Sequence, residues 1–570
     1  MAGRDGILTL ESAALKLVLV SLALLTLAAG LPAQPPAPPD LILHHGRIYT
    51  VDARNGVADA IAIRGDRIAR VGRSADVLAL RGPATRVVDL QQAAVVPGLH
   101  DAHGHVTDLG EGLQNLDLRG TTSYQQIVEL VRQRAAAARP GEWIIGRSWD
   151  QNDWAQTDWP SHGALSAVSP QNPVFLTRVD GHAALVNSRA LEAGGVTSAT
   201  RDPDGGRIIR DASGAPGGVL IDTAQDLVAS TIPPPTVAQL EAQILLADQE
   251  LRRLGLTTVH DAGSNGATVE AYTRLVDADR LKTRVHVMLR GSLAELTPFF
   301  VNGPITDYGN HRLAVRAIKI SADGALGSRG AALLEPYADE PGTSGLLTTP
   351  PDEVYAQTLA ASKAGFQTCI HAIGDRANRI VLDTFERVQR EVSGARGLRM
   401  RVEHAQILDA AEIPRFARLG VIPSMQPTHA TSDMPWVPAR IGRARADEGA
   451  YRWQTLLKTG VRLAAGSDFP VEQPNPMLGF YAAITRQDPS GTPRGGWMPG
   501  ERLSREQALR AFTIDAAYAA HAETLTGSLE AGKLADLVVL SADIMRIPPP
   551  EILRTTVSMT MVGGEIVYER

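Results

Sequence analysis

Short apolar runs alternate with longer amphipathic stretches through the middle of the chain. The runs are typical of buried parallel strands, and the stretches are typical of helices that cover them. Eight runs occur, which predicts an α/β fold of the (β/α)8, TIM-like barrel type. The predicted barrel strands lie near Val95 and at residues 257–260, 284–289, 315–320, 368–370, 400–402, 421–424 and 462–465.

The two ends of the chain show another pattern, in which short alternating strands are separated by turns. Residues 41–92 and 516–570 share it and flank the barrel at 93–515, so we predict that they form one composite β-sandwich. The sandwich is expected to be structural, and no chemistry is assigned to His44 and His45. Roughly 150 residues separate the first two barrel strands, far more than one connecting helix needs. They predict a cap inserted after the first strand, at about residues 106–250.

The N-terminus carries an apolar stretch at residues 13–30, and a Pro-rich linker follows at 34–40. This order predicts a secretory signal peptide over residues 1–33, and therefore an exported protein that is periplasmic or secreted. An uncleaved membrane anchor is the alternative, since the length of the stretch does not exclude it. After cleavage, no stable membrane partner is expected.

Composition limits the classes of function. The 570 residues are 44% hydrophobic and 21% charged, which is ordinary for a globular enzyme. A net charge of −6 without a long basic run argues against nucleic acid as a partner, because phosphate binding requires clustered Lys and Arg. Cys369 is the only cysteine, so no intrachain disulfide can form. The expected partner is a small-molecule substrate, and a homo-oligomer is left open.

Metal-binding side chains occur where five of the segments end. The C-terminal ends of barrel strands meet on one face, which is where catalytic residues sit. A single histidine at a strand end is usually structural, but several histidines with one carboxylate are typical of a catalytic zinc site. The predicted metal ligands are His103, His105, Lys319, His371, His404 and Asp468.

The segments around these residues resemble a known family. The run PGLHDAHGH is similar to the PGFxDxHxH signature of the amidohydrolase superfamily. The runs KISADGALGSRGAALLEPY, HAIGDRAN, RVEHAQ and GSDFPV resemble its YtcJ-like branch, amidohydrolase family 3, which includes N-substituted formamide deformylase. The resemblance extends from about Leu41 to the C-terminus. It departs at His100, where the family usually has an apolar residue, but this is not a ligand position.

The resemblance implies a centre of two metal ions, expected to be zinc, bridged by Lys319. An ammonium cannot bind a cation, but a lysine that has reacted with carbon dioxide forms an anionic carbamate. Carbamate formation requires the neutral amine, and burial beside cations disfavours the charged form. A single ion beside an unmodified Lys319 is the alternative.

The predicted reaction is hydrolysis of a C–N bond in an amide, formamide or N-acyl compound by metal-activated water. Asp468 is expected to accept the proton of the water and return it to the leaving nitrogen, in addition to binding metal. The alternatives are hydrolysis of a lactone, carbamate, ester or organophosphate at the same centre, and a non-catalytic binding protein on the same fold.

Further residues are predicted to support this centre. His182, in GHAALVNS, is expected to hydrogen-bond the developing oxyanion. Asp323 and Glu403 are candidates to orient the ligands, with surface or turn positions as the alternative. Trp149 and Asp150 lie in the cap and are expected to contact substrate, with packing of the cap core as the alternative for the tryptophan and for nearby Trp154.

Overall fold

The computed structural model describes residues 37–178, 181–203 and 206–570. The predicted signal peptide, and the linker up to residue 36, lie outside the described residues. Within the described ranges, no helix combines the length and the apolar character needed to cross a bilayer.

Eight parallel strands form the barrel and run in chain order around it. The backbone N–H of Asp468 donates to the carbonyl of His103 at 2.7 Å, and the N–H of His105 donates to the carbonyl of Phe469 at 2.8 Å, which joins the last strand segment to the first. The predicted (β/α)8 fold is therefore confirmed. The eight strands are Leu99–Gly104, Leu256–Ser264, Arg284–Leu289, Leu313–Ser321, Gln367–Ala372, Arg401–His404, Ile422–Met425 and Ala464–Ala465.

Amphipathic helices surround the strands and pack on them through one apolar face. In Asp375–Glu391, for example, Val381, Leu382, Phe385 and Val388 recur at helical spacing and are buried in the largest core cluster. The barrel helices are Val106–Gln114, Val237–Arg253, Gly266–Asp277, Leu293–Asn302, Pro351–Lys363, Asp375–Glu391, Ile413–Leu419, Pro427–Asp433, Val437–Ile441, Arg443–Gly449, Trp453–Lys458, Pro476–Thr485, Arg505–Ala511 and Ile514–Ala519. A short strand, Ile305–Tyr308, pairs with the fourth barrel strand.

The prediction of a barrel strand near Val95 is wrong. Val95 lies in Ala94–Pro97, which pairs with strands from both ends of the chain and belongs to a different sheet. The first barrel strand is Leu99–Gly104, immediately after Gly98. The apolar run therefore belongs to the sheet built from the two chain ends, and the polar run that follows it forms the first barrel strand.

The terminal sheet joins the two ends of the chain, as the fold prediction requires. Its eight strands form one continuous hydrogen-bonded sheet. Alternate apolar side chains such as Leu41, Leu43, Leu537 and Val539 meet in one buried cluster. The strands, in spatial order, are Glu565–Glu569, Val557–Val562, Leu537–Leu540, Ala94–Pro97, Leu41–Tyr49, Val57–Arg64 and Arg67–Gly72, with Arg86–Asp89 paired to Leu41–Tyr49. Two short helices, Ser74–Leu78 and Pro549–Ile552, belong to the same chain ends.

The cap is inserted between the first two barrel strands and has its own six-stranded sheet. The helices on either side of it, Val106–Gln114 and Val237–Arg253, pack closely at Gly110. A Cβ at this position would lie 1.9 Å from the carbonyl oxygen of Gln243, so only glycine fits. The cap strands, in spatial order, are Gly206–Arg210, Pro216–Asp222, Ala183–Val186, Val174–Arg178, Ile144–Trp149 and Leu116–Asp117. Its helices are Tyr124–Ala137, Gly163–Val168, Ser188–Ala193 and Asp226–Ala229.

Candidate metal centre

All six predicted metal ligands lie at the C-terminal ends of barrel strands or just beyond them. Four are buried and two are partly exposed. In chain order they are His103 in the first strand, His105 before the next helix, Lys319 in the fourth strand, His371 in the fifth, His404 at the end of the sixth, and Asp468 after the eighth.

The first group of ligand atoms comes from His103, His105 and Asp468, which lie within 4.8 Å of one another. Nε2 of His105 is 3.1 Å from Oδ1 of Asp468, and Nε2 of His103 is 3.5 Å from the same oxygen. Two imidazole nitrogens and a carboxylate oxygen this close together are suited to a divalent cation such as zinc.

The second group is formed by His404, His429 and the same Asp468, again within 4.8 Å of one another. The ring of His371 lies beside it, with its centroid 4.6 Å from that of His404. Nε2 of His371 is buried and has no hydrogen-bond partner among residues 37–178, 181–203 and 206–570. Coordination of a cation would satisfy this nitrogen, whose burial without a partner is otherwise costly.

Hydrogen bonds at the far side of two rings aim the ligand atoms inward. Nδ1 of His103 is 2.6 Å from Oε2 of Glu403, and Nδ1 of His404 is 2.8 Å from Oε1 of Gln426. Both partners are acceptors, so each ring carries its proton on Nδ1 and its lone pair on Nε2, as in histidines that bind metals. Burial, together with nearby Lys319, lowers the pKa of His103 to about 4, which keeps the ring neutral at pH 7.

Glu403 also holds a buried arginine. Its side chain is fully enclosed, and the guanidinium of Arg401 approaches it to 2.8 Å. Burial alone would raise the pKa of Glu403, but Arg401 and His103 outweigh it and lower the pKa to about 2. The carboxylate is therefore ionised and orients His103, and it is not at a surface or turn position.

Asp323 fixes the chain beyond the fourth and fifth strands. Its two carboxylate oxygens accept the backbone N–H groups of Ala332, Ile373 and Gly374 at 2.8 to 3.0 Å. Oδ1 is also 3.4 Å from Nε2 of His371. The group is buried and holds the segment that carries His371.

Lys319 lies beside the first group, with Nζ 3.1 Å from Nε2 of His103. The side chain is buried, and this burial lowers the pKa of its ammonium group. The environment thus favours the neutral amine.

Two ligands have backbone conformations that non-glycine residues rarely adopt. His404 has φ of 74° and Asp468 has φ of 60°. Each such conformation costs about 1–3 kcal/mol and is typical of functional sites. Asp101 helps to hold the loop of Asp468, since its carboxylate accepts the N–H and hydroxyl of Ser467 at 3.1 and 2.6 Å. Gly466 is required there, because a Cβ would lie 2.6 Å from the backbone nitrogen of His103.

The predicted cap residues lie outside these two groups. Trp149 is fully buried, donates its indole N–H to the carbonyl of Leu176 at 2.8 Å and stacks on Trp154. The structure therefore favours packing of the cap core over substrate contact for Trp149. Asp150 is paired with Arg178 at 2.7 Å.

His182 lies immediately before the cap strand Ala183–Val186. Its side chain is 75% exposed, and Nδ1 is 2.7 Å from Oδ1 of Asp222. Among the described residues, neither group of metal-ligand atoms at the barrel includes His182. Its role at the oxyanion stays a prediction.

The sequence prediction omits several residues of the centre. His429 follows the seventh strand, in the helix Pro427–Asp433, and its Nε2 is 3.8 Å from Oδ2 of Asp468. Gln426 and Arg401 are omitted as well, although both contact ligand histidines or their partners. The rule applied to the other strands, that chemistry follows a strand end, would have found His429 in the run QPTHA.

Three known proteins are similar to this chain over 93% of its length. Protein LONG AFTER FAR-RED 3 of Arabidopsis thaliana is 37% identical, over 93% of this chain and 91% of its own length. Putative amidohydrolase YtcJ of Bacillus subtilis is 32% identical, over 93% of this chain and 99% of its own length. N-substituted formamide deformylase of Arthrobacter pascens is 29% identical, over 93% of this chain and 98% of its own length. These relatives confirm the resemblance to the YtcJ-like branch.

A solved structure supports the same assignment. The uncharacterized metal-dependent hydrolase from Pyrococcus furiosus superposes with a TM-score of 0.75 at 29% identity, covering 89% of this chain and all of the other. The described fold and the two groups of ligand atoms agree with a hydrolase that uses metal. Residues 86–568 match the amidohydrolase family, and the chain belongs to that family.

Proposed function

We propose that this chain hydrolyses the C–N bond of an amide, formamide or N-acyl compound at a pair of divalent metals, zinc in our proposal, bridged by carboxylated Lys319. The observation that carries the proposal is the position of Asp468, whose carboxylate lies within 4.8 Å of the ligand nitrogens of His103 and His105 and also of His404. The ring of His371 lies beside that of His404, with the two centroids 4.6 Å apart. One carboxylate shared by these two pairs of imidazoles is suited to two neighbouring cations.

Lys319 supplies the second bridge in this proposal. Its neutral amine would attack the carbon of carbon dioxide, forming an N–C bond while one C=O π pair moves onto oxygen, and would release one proton to solvent, which leaves an anionic carbamate. The lowered pKa of the buried side chain favours the neutral amine that this step requires. The distance of 3.1 Å between its Nζ and the Nε2 atom of His103 supports a carbamate at this position as a further ligand.

When bound, the metals supply Lewis-acid activation of the attacking water and of the substrate carbonyl. Asp468 accepts the proton of that water and donates it to the leaving nitrogen. Burial would raise the pKa of Asp468, but the surrounding imidazoles of His103, His105 and His404 outweigh it and hold the pKa well below its usual value. The carboxylate is therefore ionised near neutral pH, as a group that accepts a proton must be.

The choice of a C–N bond rests on the relatives. One of them is named for N-substituted formamide deformylation and aligns over 93% of this chain. The cap, which is inserted directly after the first ligands, is proposed to set the size of the acyl group and the amine.

Two measurements test the proposal. Metal content of the purified protein, prepared with and without bicarbonate, is expected to reach two ions per chain only with bicarbonate. Native mass spectrometry at neutral pH should show the added carbon dioxide, and Lys319→Ala should lack it. One ion per chain in every preparation would refute the bridged centre.

The substrate class is tested separately. The metal-loaded enzyme is assayed with p-nitroformanilide, N-acetyl amino acids, a lactone and a p-nitrophenyl ester. Turnover of the amides above the lactone and ester supports the proposal. The reverse order would assign the centre to C–O bonds instead.

A further inference from the structure

His429 lies at the metal centre with a ring nitrogen that has no hydrogen-bond partner in the part of the chain that the structure describes. The residue is 8% exposed, and this nitrogen, Nε2, is buried. Oδ2 of Asp468 is 3.8 Å away, which is too far for a hydrogen bond. A buried nitrogen in this state requires either a cation or an acceptor that enters the site.

A histidine and a glutamine lie at or just beyond the end of the sixth strand, and another glutamine and histidine follow the seventh. His404 pairs with Gln426, and Gln406 pairs in return with His429. The two imidazole rings lie nearly parallel, with an interplanar angle of 15° and centroids 6.0 Å apart. The two histidines are therefore held in similar orientations by partners from the neighbouring segment.

The two pairs differ in which amide atom of the glutamine faces the histidine ring. Nδ1 of His404 faces the amide oxygen of Gln426, at 2.8 Å, so the ring proton is on Nδ1 and the Nε2 lone pair is available to a metal. Nδ1 of His429 faces the amide nitrogen of Gln406, at 3.5 Å, and an amide nitrogen only donates. In the neutral His429 ring, Nδ1 accepts and the proton is on Nε2. That nitrogen presents a hydrogen toward the centre and has no lone pair for a cation.

We propose that His429 is a hydrogen-bond donor to the carbonyl oxygen of the substrate and not a metal ligand. The inference rests on the proposed function and names the group that binds the substrate oxygen. When the water oxygen adds to the carbonyl carbon, the π pair moves onto the carbonyl oxygen. The Nε2–H group of His429 hydrogen-bonds this charge, and its proton stays on the ring. A donor aimed at developing negative charge stabilises the transition state.

The main test is His429→Phe, which keeps a flat ring in the same space and removes the donor. Metal content and the visible absorption of the Co(II)-loaded protein should match wild type, since no ligand is lost. For p-nitroformanilide, kcat should fall by about 10²–10³-fold, with a smaller change in KM. His429→Gln, whose amide can donate from a similar position, should recover part of the loss.

Two control variants sharpen the result. His404→Phe, which removes a predicted ligand, should lose metal and change the Co(II) spectrum. His182→Phe removes the donor that the sequence prediction favours for the same oxygen. If His182→Phe lowers kcat as much as expected for His429→Phe, while His429→Phe stays near wild type, the assignment to His429 is overturned.

A second probe does not depend on the reaction. Inorganic phosphate, a tetrahedral oxyanion, is titrated calorimetrically into the metal-loaded proteins, and its affinity should be at least about tenfold weaker in His429→Phe. Loss of metal from this variant, or unchanged phosphate affinity, would overturn the donor role. If wild type hydrolyses none of the substrates, the proposed function fails, and metal content with phosphate affinity still decides the role of His429.

Discussion

Glu403→Gln should weaken both the barrel and the metal centre, because one buried carboxylate serves both. The substitution keeps the shape of the side chain but leaves the guanidinium of Arg401 without its counter-charge. The pKa of Glu403 falls from an ordinary 4.5 to about 2 in the folded protein, which corresponds to about 3 kcal/mol of stability near neutral pH. Removing one partner of a buried ion pair costs about 3–5 kcal/mol in other proteins, so the two estimates agree.

The pH dependence has a definite sign. A carboxylate whose pKa is lowered on folding contributes its full stability above about pH 4.5 and loses it as the pH falls toward 2. The urea midpoint of the metal-free wild-type protein should therefore fall as the pH is lowered through this window. Glu403→Gln should start from a lower midpoint at pH 7 and lack this component of the decline.

The effect on the metal should be separate from the effect on stability. In Glu403→Gln a neutral amide replaces the ionised carboxylate whose Oε2 is 2.6 Å from Nδ1 of His103, so the acceptor for the Nδ1 proton is weaker. Mutation of such a partner typically lowers metal affinity by about 10–100-fold. Competition with a chromogenic chelator measures this affinity on the folded protein.

Asp536→Asn is the matched control. Asp536 forms another buried pair, with Arg284, at 2.7 and 3.0 Å, and it also accepts the backbone N–H of Gly563. These contacts join the third barrel strand to the terminal sheet and include no predicted metal ligand. Asp536→Asn should lower the urea midpoint of the metal-free protein while leaving metal affinity unchanged. Equal losses of metal affinity in both variants would show that the loss follows from general destabilisation, and the role assigned to Glu403 would be wrong.

Three further predictions concern the loop after the eighth strand and the N-terminus. Asp468→Asn should retain much of its metal, as measured by elemental analysis, but lose at least about a hundredfold in turnover, since general acid–base transfer contributes about 10²–10⁴-fold. Near wild-type turnover would show that the proton goes elsewhere. Gly466→Ala should lose metal affinity, because its Cβ would lie 2.5 Å from Oδ1 of Asp101 and 2.6 Å from the backbone nitrogen of His103. Unchanged metal affinity in the chelator assay would show that the loop accommodates the added Cβ without displacing the metal ligands. Removal of residues 1–33 should leave a soluble, active enzyme if they form an export signal. Activity found only in full-length protein sedimenting with membranes would favour the anchor.

Much of the fold could be predicted because its periodicity is local. Apolar runs such as those around Val315 and Val402 are short, regular and followed by helical patterns, and the chain order of the ligands agrees with the order of strands around the barrel. The position of Lys319 and of His371 at strand ends follows from the same pattern. The cap followed from the spacing between strands alone.

The first barrel strand could not be found in this way, because its sequence, LHDAHG, has no apolar alternation. Its polar side chains are stabilised inside the barrel by partners that are far away in sequence. Asp101 accepts from Ser467, and His103 pairs with Glu403, 300 residues further on. A hydropathy pattern cannot show such partners, so the neighbouring apolar run at Val95 is assigned to the barrel instead.

His429 presents the same difficulty in a form that bears on function. It lies four residues beyond its strand, on a helix. The strand-end rule would have found it as a site residue, but the sequence does not distinguish a metal ligand from a hydrogen-bond donor at this position. What distinguishes it from His404 is the amide atom that faces the ring, since Gln406 offers its nitrogen to His429 and Gln426 offers its oxygen to His404. The tautomer of each ring follows from that difference, and the tautomer decides whether the inward nitrogen can bind a cation or only donate a proton to an acceptor. Two histidines of the same type, in nearly parallel orientations, can therefore serve as ligand and as donor in one site.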